Sequence, residues 1–116
     1  MKKSIVYIAG PYRSKYGRIG VIINIWKARQ LAKKLWAKGI YTITPHLNSA
    51  LMDRVCDSQI FLDGDIEIMK RCNYVLLLDS WNDSKGTINE IEVALSNGIR
   101  VFDTHETNDL IDILRD

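Results

Sequence analysis

The chain has 116 residues, 47% apolar and 26% charged, with a formal net charge of +2 and two cysteines. That is the size and composition of one globular domain, taken as residues 1–116, able to bury a core without staples. So small a net charge gives no footprint for nucleic acid or a membrane surface, and no stretch approaches the ~20 apolar residues of a bilayer span. The apolar run in "MKKSIVYIAG" is too short for a secretion signal, and Cys56 and Cys72 form neither a CxxC pair nor a disulfide framework. The expected setting is reducing and cytoplasmic.

"SIVYIAG" (Ser4–Gly10), ended by Gly-Pro, reads as a buried first strand. From Asn24, apolar residues recur at Ala28, Leu31, Ala32 and Leu35, which is helical spacing with Gly39 as the stop. Trp26 and Trp36 in this helix read as packing residues. "IYTIT" (Ile40–Thr44) is a second strand closed by Pro45, and Asn48–Ser58 is loop or short helix. "QIFLDGDIEIMKRC" sets Phe61, Ile66 and Met69 near one face of a helix that Gly64 weakens. "YVLLLD" (Tyr74–Asp79) is apolar enough to be a central parallel strand. A helix from about Thr87 to Gly98, the strand "IRVFD" and the short helix "TNDLIDILRD" complete the chain. Strands alternating with helices predict right-handed βαβ units, hence an α/β fold with a small parallel sheet covered on both faces.

In such sheets ligands bind beyond the carboxyl ends of the strands. Gly10 to Arg13, Thr44 to His46 and Asp79 to Gly86 should lie there. Glu90 has two readings. Thr87-x-x-Glu90 fits a capping box, whereas position on the helix also suits a carboxylate aimed at a ligand near the strand end. Ser84, Lys85 and Gly86 open the same helix and make either an anion site or a solvated turn. Arg13, with Lys15 and Arg18, is suited to phosphate or simply to solvent. Asp65 lies near Asp63 and Glu67, so it is part of a wet face or an acid of raised pKa. His46 is a catalytic group or a hydrogen-bonding loop residue. Trp81 stacks on a flat ring or covers the core edge. GxxxxGK[ST] and GxGxxG are both absent, and His46, Cys56 and Cys72 lack metal-ligand spacing.

Four stretches in this order and spacing, "YIAGPYR", "TPH", "DIEIMKRCNYVLLL" and "SKGTINE", resemble the nucleoside 2-deoxyribosyltransferase-like superfamily. That group includes 2′-deoxynucleoside 5′-monophosphate N-glycosidases and small bacterial and phage members. The resemblance spans Ser4 to Phe102 and implies a flavodoxin-like (Rossmann-like) three-layer sandwich with four or five parallel strands. It implies attack by a glutamate, matching Glu90, on the anomeric carbon of a small-molecule nucleoside or nucleotide. Tyr7 matches the tyrosine that positions this glutamate, and Asp65 the aspartate that helps the base depart. Ser84 and Arg13 match phosphate-binding positions, and Gly86 would let backbone approach the ligand. Gly10, His46 and Trp81 are further candidate substrate-binding residues. No metal or organic cofactor is implied, and a homodimer is. Two departures stand out: Ile88 replaces a second glycine of the usual loop, and Leu47–Gln59, where such proteins choose the base, has no counterpart.

Overall fold

The four β-rich runs form one sheet in the computed structural model, which describes residues 3–48, 52 and 54–115. The strands are β1 (Ile5–Ala9), β2 (Tyr41–Ile43), β3 (Tyr74–Leu77) and β4 (Arg100–Phe102). They pair in parallel in the order β2-β1-β3-β4, with Tyr7 beside Ile43 on one side and Val75 on the other. β1 and β3 are the central pair. Their nearly continuous apolar sequences suit strands buried on both faces.

Among the described residues five α-helices flank the sheet: α1 (Gly17–Ala37), α2 (Pro45–Asn48), α3 (Ser58–Lys70), α4 (Lys85–Ser96) and α5 (Thr107–Arg115). Side chains alternate along each strand and so divide the core in two. Tyr7, Ala9, Val75 and Leu77 meet Met69 of α3 and Ala94 of α4. Val6, Ile8, Leu76 and Leu78 point the other way, onto α1 and α5 through Ala28, Ala32, Leu35 and Leu110. The result is the three-layer α/β sandwich. Gly39 and Gly98 take positive φ (79° and 72°) where α1 and α4 turn back towards strands, a conformation that only glycine adopts cheaply. No helix among the described residues is long and apolar enough to cross a membrane.

Several expectations need correction. α1 begins at Gly17, not near Asn24. Its first turns carry exposed Ile19, Ile22 and Ile23, so no core-facing stripe marks them in the sequence. Trp26 and Trp36 are not core residues: they are 60% and 52% exposed, and Trp36 leans on the exposed Tyr41 ring. Pro45 does more than end β2. It opens α2, where its missing N–H costs nothing. α3 passes through the exposed Gly64 unbroken. The mixed stretch Asn48–Ser58 lies only partly within the described residues, and what is described of 52–57 is non-helical.

Candidate functional site

Connections leave β1 and β3 in opposite directions, so a crevice opens beyond their carboxyl ends, at the switch point of the strand order. A cavity of about 650 Å³ lies there. The β1–α1 loop, α2, α3 and the start of α4 wall it, and Gly10, Arg13, His46, Asp65, Ser84, Gly86 and Glu90 all reach its lining.

Glu90 sits in the second turn of α4, with its carboxylate held at the cavity by the hydroxyl of Tyr7, which donates a short hydrogen bond to Oε2. Tyr7 is wholly buried in the middle of β1, on the face that meets α3 and α4. The capping reading of Glu90 therefore fails. Ser84 is the N-cap of α4, and its hydroxyl accepts from the Thr87 N–H at 3.1 Å. Thr87 is inside the first turn and 1% exposed, so it cannot serve as the cap.

Burial pushes the Glu90 carboxyl up to about 7, and the nearby Asp65 charge adds to this, while the Tyr7 hydrogen bond pulls the other way. Asp65, half-buried on α3, is pushed up to about 6 by desolvation. The Tyr7 phenol is driven well above its ordinary value by burial first and by the Glu90 charge second, so it stays a donor. The other acids of α3 separate from Asp65. Asp63 accepts from Gln59 Nε2 at 2.8 Å, and exposed Glu67 pairs with Lys70 and Arg71. Both carboxyls therefore hold a proton more readily than exposed ones do, beside a phenol that stays a donor. Such a set can supply a nucleophile or base together with an acid.

The turn between β3 and α4 offers donors. The first N–H groups of α4, at Lys85 and Gly86, have no carbonyl within the helix to bond. Ser84 Oγ, which accepts from Thr87, keeps its own O–H for donation. A Cβ at Gly86 would meet only ordinary contacts, 3.8 Å to Ser84 Oγ and 3.9 Å to Leu62 Cδ2. Glycine there is not a demand of the fold. Gly10 differs, because a Cβ there would fall 2.6 Å from Leu78 Cδ1, so packing requires it.

The exposed Arg13 rides on a loop that is tied down from two sides. Asn24 Nδ2 donates to the Tyr12 carbonyl at 3.1 Å, and His46 Nε2 donates to the Pro11 carbonyl at 2.8 Å. His46 is buried, and desolvation holds its pKa below the usual value, so it is a neutral anchor for this loop. In the sequence Asn24 reads as a helix start, and a half-buried tether looks the same there. Trp81 lies in a short 3₁₀ turn (Trp81–Asp83) and packs on the Tyr7–Met69 core cluster, outside the cavity lining. Of its two readings, the core-edge one holds. Phe61, Leu62 and Ile66 of α3 form an apolar wall that the sequence indicated only as a helix face.

A search of solved structures returns a 2-deoxyribosyltransferase from the psychrotolerant bacterium Bacillus psychrosaccharolyticus, described as a biocatalyst for antiviral and antitumoral nucleosides. It matches with a TM-score of 0.61 and 19% identity, covering 86% of this chain and 71% of that one. A conserved protein from Enterococcus faecalis V583 matches with a TM-score of 0.58 and 24% identity, covering 96% and 76%. These likenesses bear out the deoxyribosyltransferase-like, flavodoxin-like fold. No curated protein sequence matches the chain. The sequence profile of a family described as a domain of unknown function, DUF4406, matches residues 4–103, and the chain belongs to that family.

Proposed function

We propose that the protein is an N-glycosidase that cleaves the base–sugar bond of a (deoxy)nucleoside 5′-monophosphate. The observation that carries this reading is the Glu90 carboxylate, facing a cavity and held from a central strand by Tyr7. Departure of the base leaves positive charge on the anomeric carbon, and a carboxylate beneath the sugar stabilises it. Glu90 Oε then bonds to C1′ as the C1′–N bond breaks, and the base leaves with the electron pair and a proton from Asp65. In the second step water attacks C1′, gives its proton to Asp65 and frees Glu90. A 5′-phosphate would rest on the Ser84 hydroxyl, the first N–H groups of α4 and Arg13, because a helix start with a nearby guanidinium suits an anion. The base would lie against the wall of Phe61, Leu62 and Ile66.

Two alternatives differ in outcome. If a second base instead of water captures the sugar, the protein is a deoxyribosyltransferase, the activity named for the Bacillus relative of like fold. If nothing attacks, the cavity is a non-catalytic nucleotide-binding module. Incubation with deoxynucleotides and deoxynucleosides, with and without an acceptor base, followed by liquid chromatography, separates the three. Free base means hydrolysis, a new nucleoside means transfer, and thermal stabilisation with no product means binding alone. Glu90→Gln should lose base release by ~10³-fold or more while keeping the fold. A folded and fully active variant would overturn the reading. A homodimer, which the resemblance implies, is part of the proposal. Its support is the row of exposed Ile19, Ile22, Ile23 and Trp26 along α1.

A further inference from the structure

α1 starts earlier than its packing requires. From Gly17 to Ile23, Gly20 alone is fully buried, while Ile19, Ile22 and Ile23 face outward. No side chain caps the helix: Tyr16 stands at the N-cap and makes no side-chain cap bond. Helices owe most of their stability to a packed face, and these turns pack little against the sheet. Their contacts lead instead to the loop that precedes them.

A Cβ at Gly20 would overlap both Ser14 Oγ and Ser14 Cβ, so the half-buried Ser14 is pressed onto the bare backbone of α1. Glycine weakens a helix interior, and here the close approach is what requires it. Ser14 Oγ accepts from the Tyr16 N–H at 3.0 Å, and the Ser14 carbonyl accepts from the Gly17 N–H at 3.2 Å. Both bonds fold the end of the loop back onto the helix. One turn beyond Gly20, Asn24 Nδ2 donates to the Tyr12 carbonyl at 3.1 Å and lies 3.5 Å from the Arg13 carbonyl. Gly20 and Asn24 are four residues apart and so share a face of α1. The loop is thus gripped on both sides of Arg13, which lines the cavity.

We infer that the first two turns of α1 are a brace that presets the β1–α1 loop for the phosphate end of a nucleotide, with Gly20 and Asn24 as positioning residues that act through Arg13. An unbraced loop would have to be ordered as the ligand arrives, and that cost comes off the affinity. A braced loop meets it during folding. The inference rests on the reading above that a 5′-phosphate meets Arg13. It needs no chemistry at Glu90.

Titration calorimetry tests it with a carbocyclic deoxynucleoside and its 5′-monophosphate. These analogues lack the ring oxygen that shares positive charge with the anomeric carbon, so they bind without reacting. The quantity read is the margin by which the monophosphate binds more tightly. Gly20→Ala should cut that margin about tenfold and leave affinity for the phosphate-free analogue unchanged. Asn24→Ala should act in the same sense. Ser14→Gly/Gly20→Ala should restore most of the margin, because the new methyl fills the space the serine side chain has left. General damage to the fold would instead lower both affinities together, and circular dichroism checks that each variant is folded. If Gly20→Ala does not fold, Asn24→Ala and the double variant carry the test. A margin that survives Gly20→Ala and Asn24→Ala, or that the double variant does not recover, overturns the brace and leaves the phosphate reading standing. A wild type with no margin overturns the phosphate reading and the brace with it. Base release from an ordinary deoxynucleotide reports on the glycosidase reading separately.

Discussion

Glu90 is governed by three opposed influences. Burial and the Asp65 charge favour its protonated form, and the Tyr7 hydroxyl favours the carboxylate. If the carboxylate is the reactive form, kcat/KM for base release should fall on the acid side of about 7. Tyr7→Phe removes the one influence that holds the charge. The acid limb should then move upward by about one to two pH units, since a hydrogen bond to a charged group contributes ~1.5–3 kcal/mol. A pH–rate profile that keeps its limb in Tyr7→Phe would mean the phenol does not act on that charge. Little of this was legible in the sequence beforehand. A helical wheel cannot distinguish a cap from a ligand-facing acid, and the deciding partner is 83 residues away. Ser84 was legible as a residue of the helix-opening turn, but its place as the cap, which excludes Thr87 and so frees Glu90, needed the backbone geometry.

α4 joins the cap to the carboxylate, and Gly86 lies in its first turn. Alanine there meets no clash and improves helix propensity, so Gly86→Ala should stabilise the fold by up to ~1 kcal/mol. If a phosphate rests against that turn, the same methyl intrudes on it, and affinity for a monophosphate should drop about tenfold or more. Calorimetric melting and nucleotide titration measure the two effects. Opposite signs support a ligand at the turn, and equal affinity removes it. Element types were readable because short continuous apolar runs and helical stripes are local patterns. Boundaries failed where burial was unusual. α1 extends back to Gly17 through isoleucines that face outward, so the stripe that marks a helix is missing there.

The strand order β2-β1-β3-β4 could not be read residue by residue, because parallel pairing depends on contacts far apart in the chain. Alternating strands and helices announced only the class. The whole molecule also leaves Ile19, Ile22, Ile23 and Trp26 uncovered at spacings that share one helix face. Exposed apolar patches of that kind commonly mark an interface. Light scattering at micromolar concentration should report a dimer, and Ile22→Glu should shift it to monomer. A monomeric wild type would remove the dimer from the proposal.

The tether between Tyr7 and Glu90 separates two tasks along the molecule. Its phenol is rooted in a central strand and wholly buried, so the Glu90 carboxylate would have little room to drift when a ligand enters. In the proposed reaction, accommodation of different bases would fall instead to the α3 wall of Phe61, Leu62 and Ile66, which lines the same cavity. Under the proposed reaction, preference for one base over another could then be retuned, by drift or by design, without re-aiming the carboxylate.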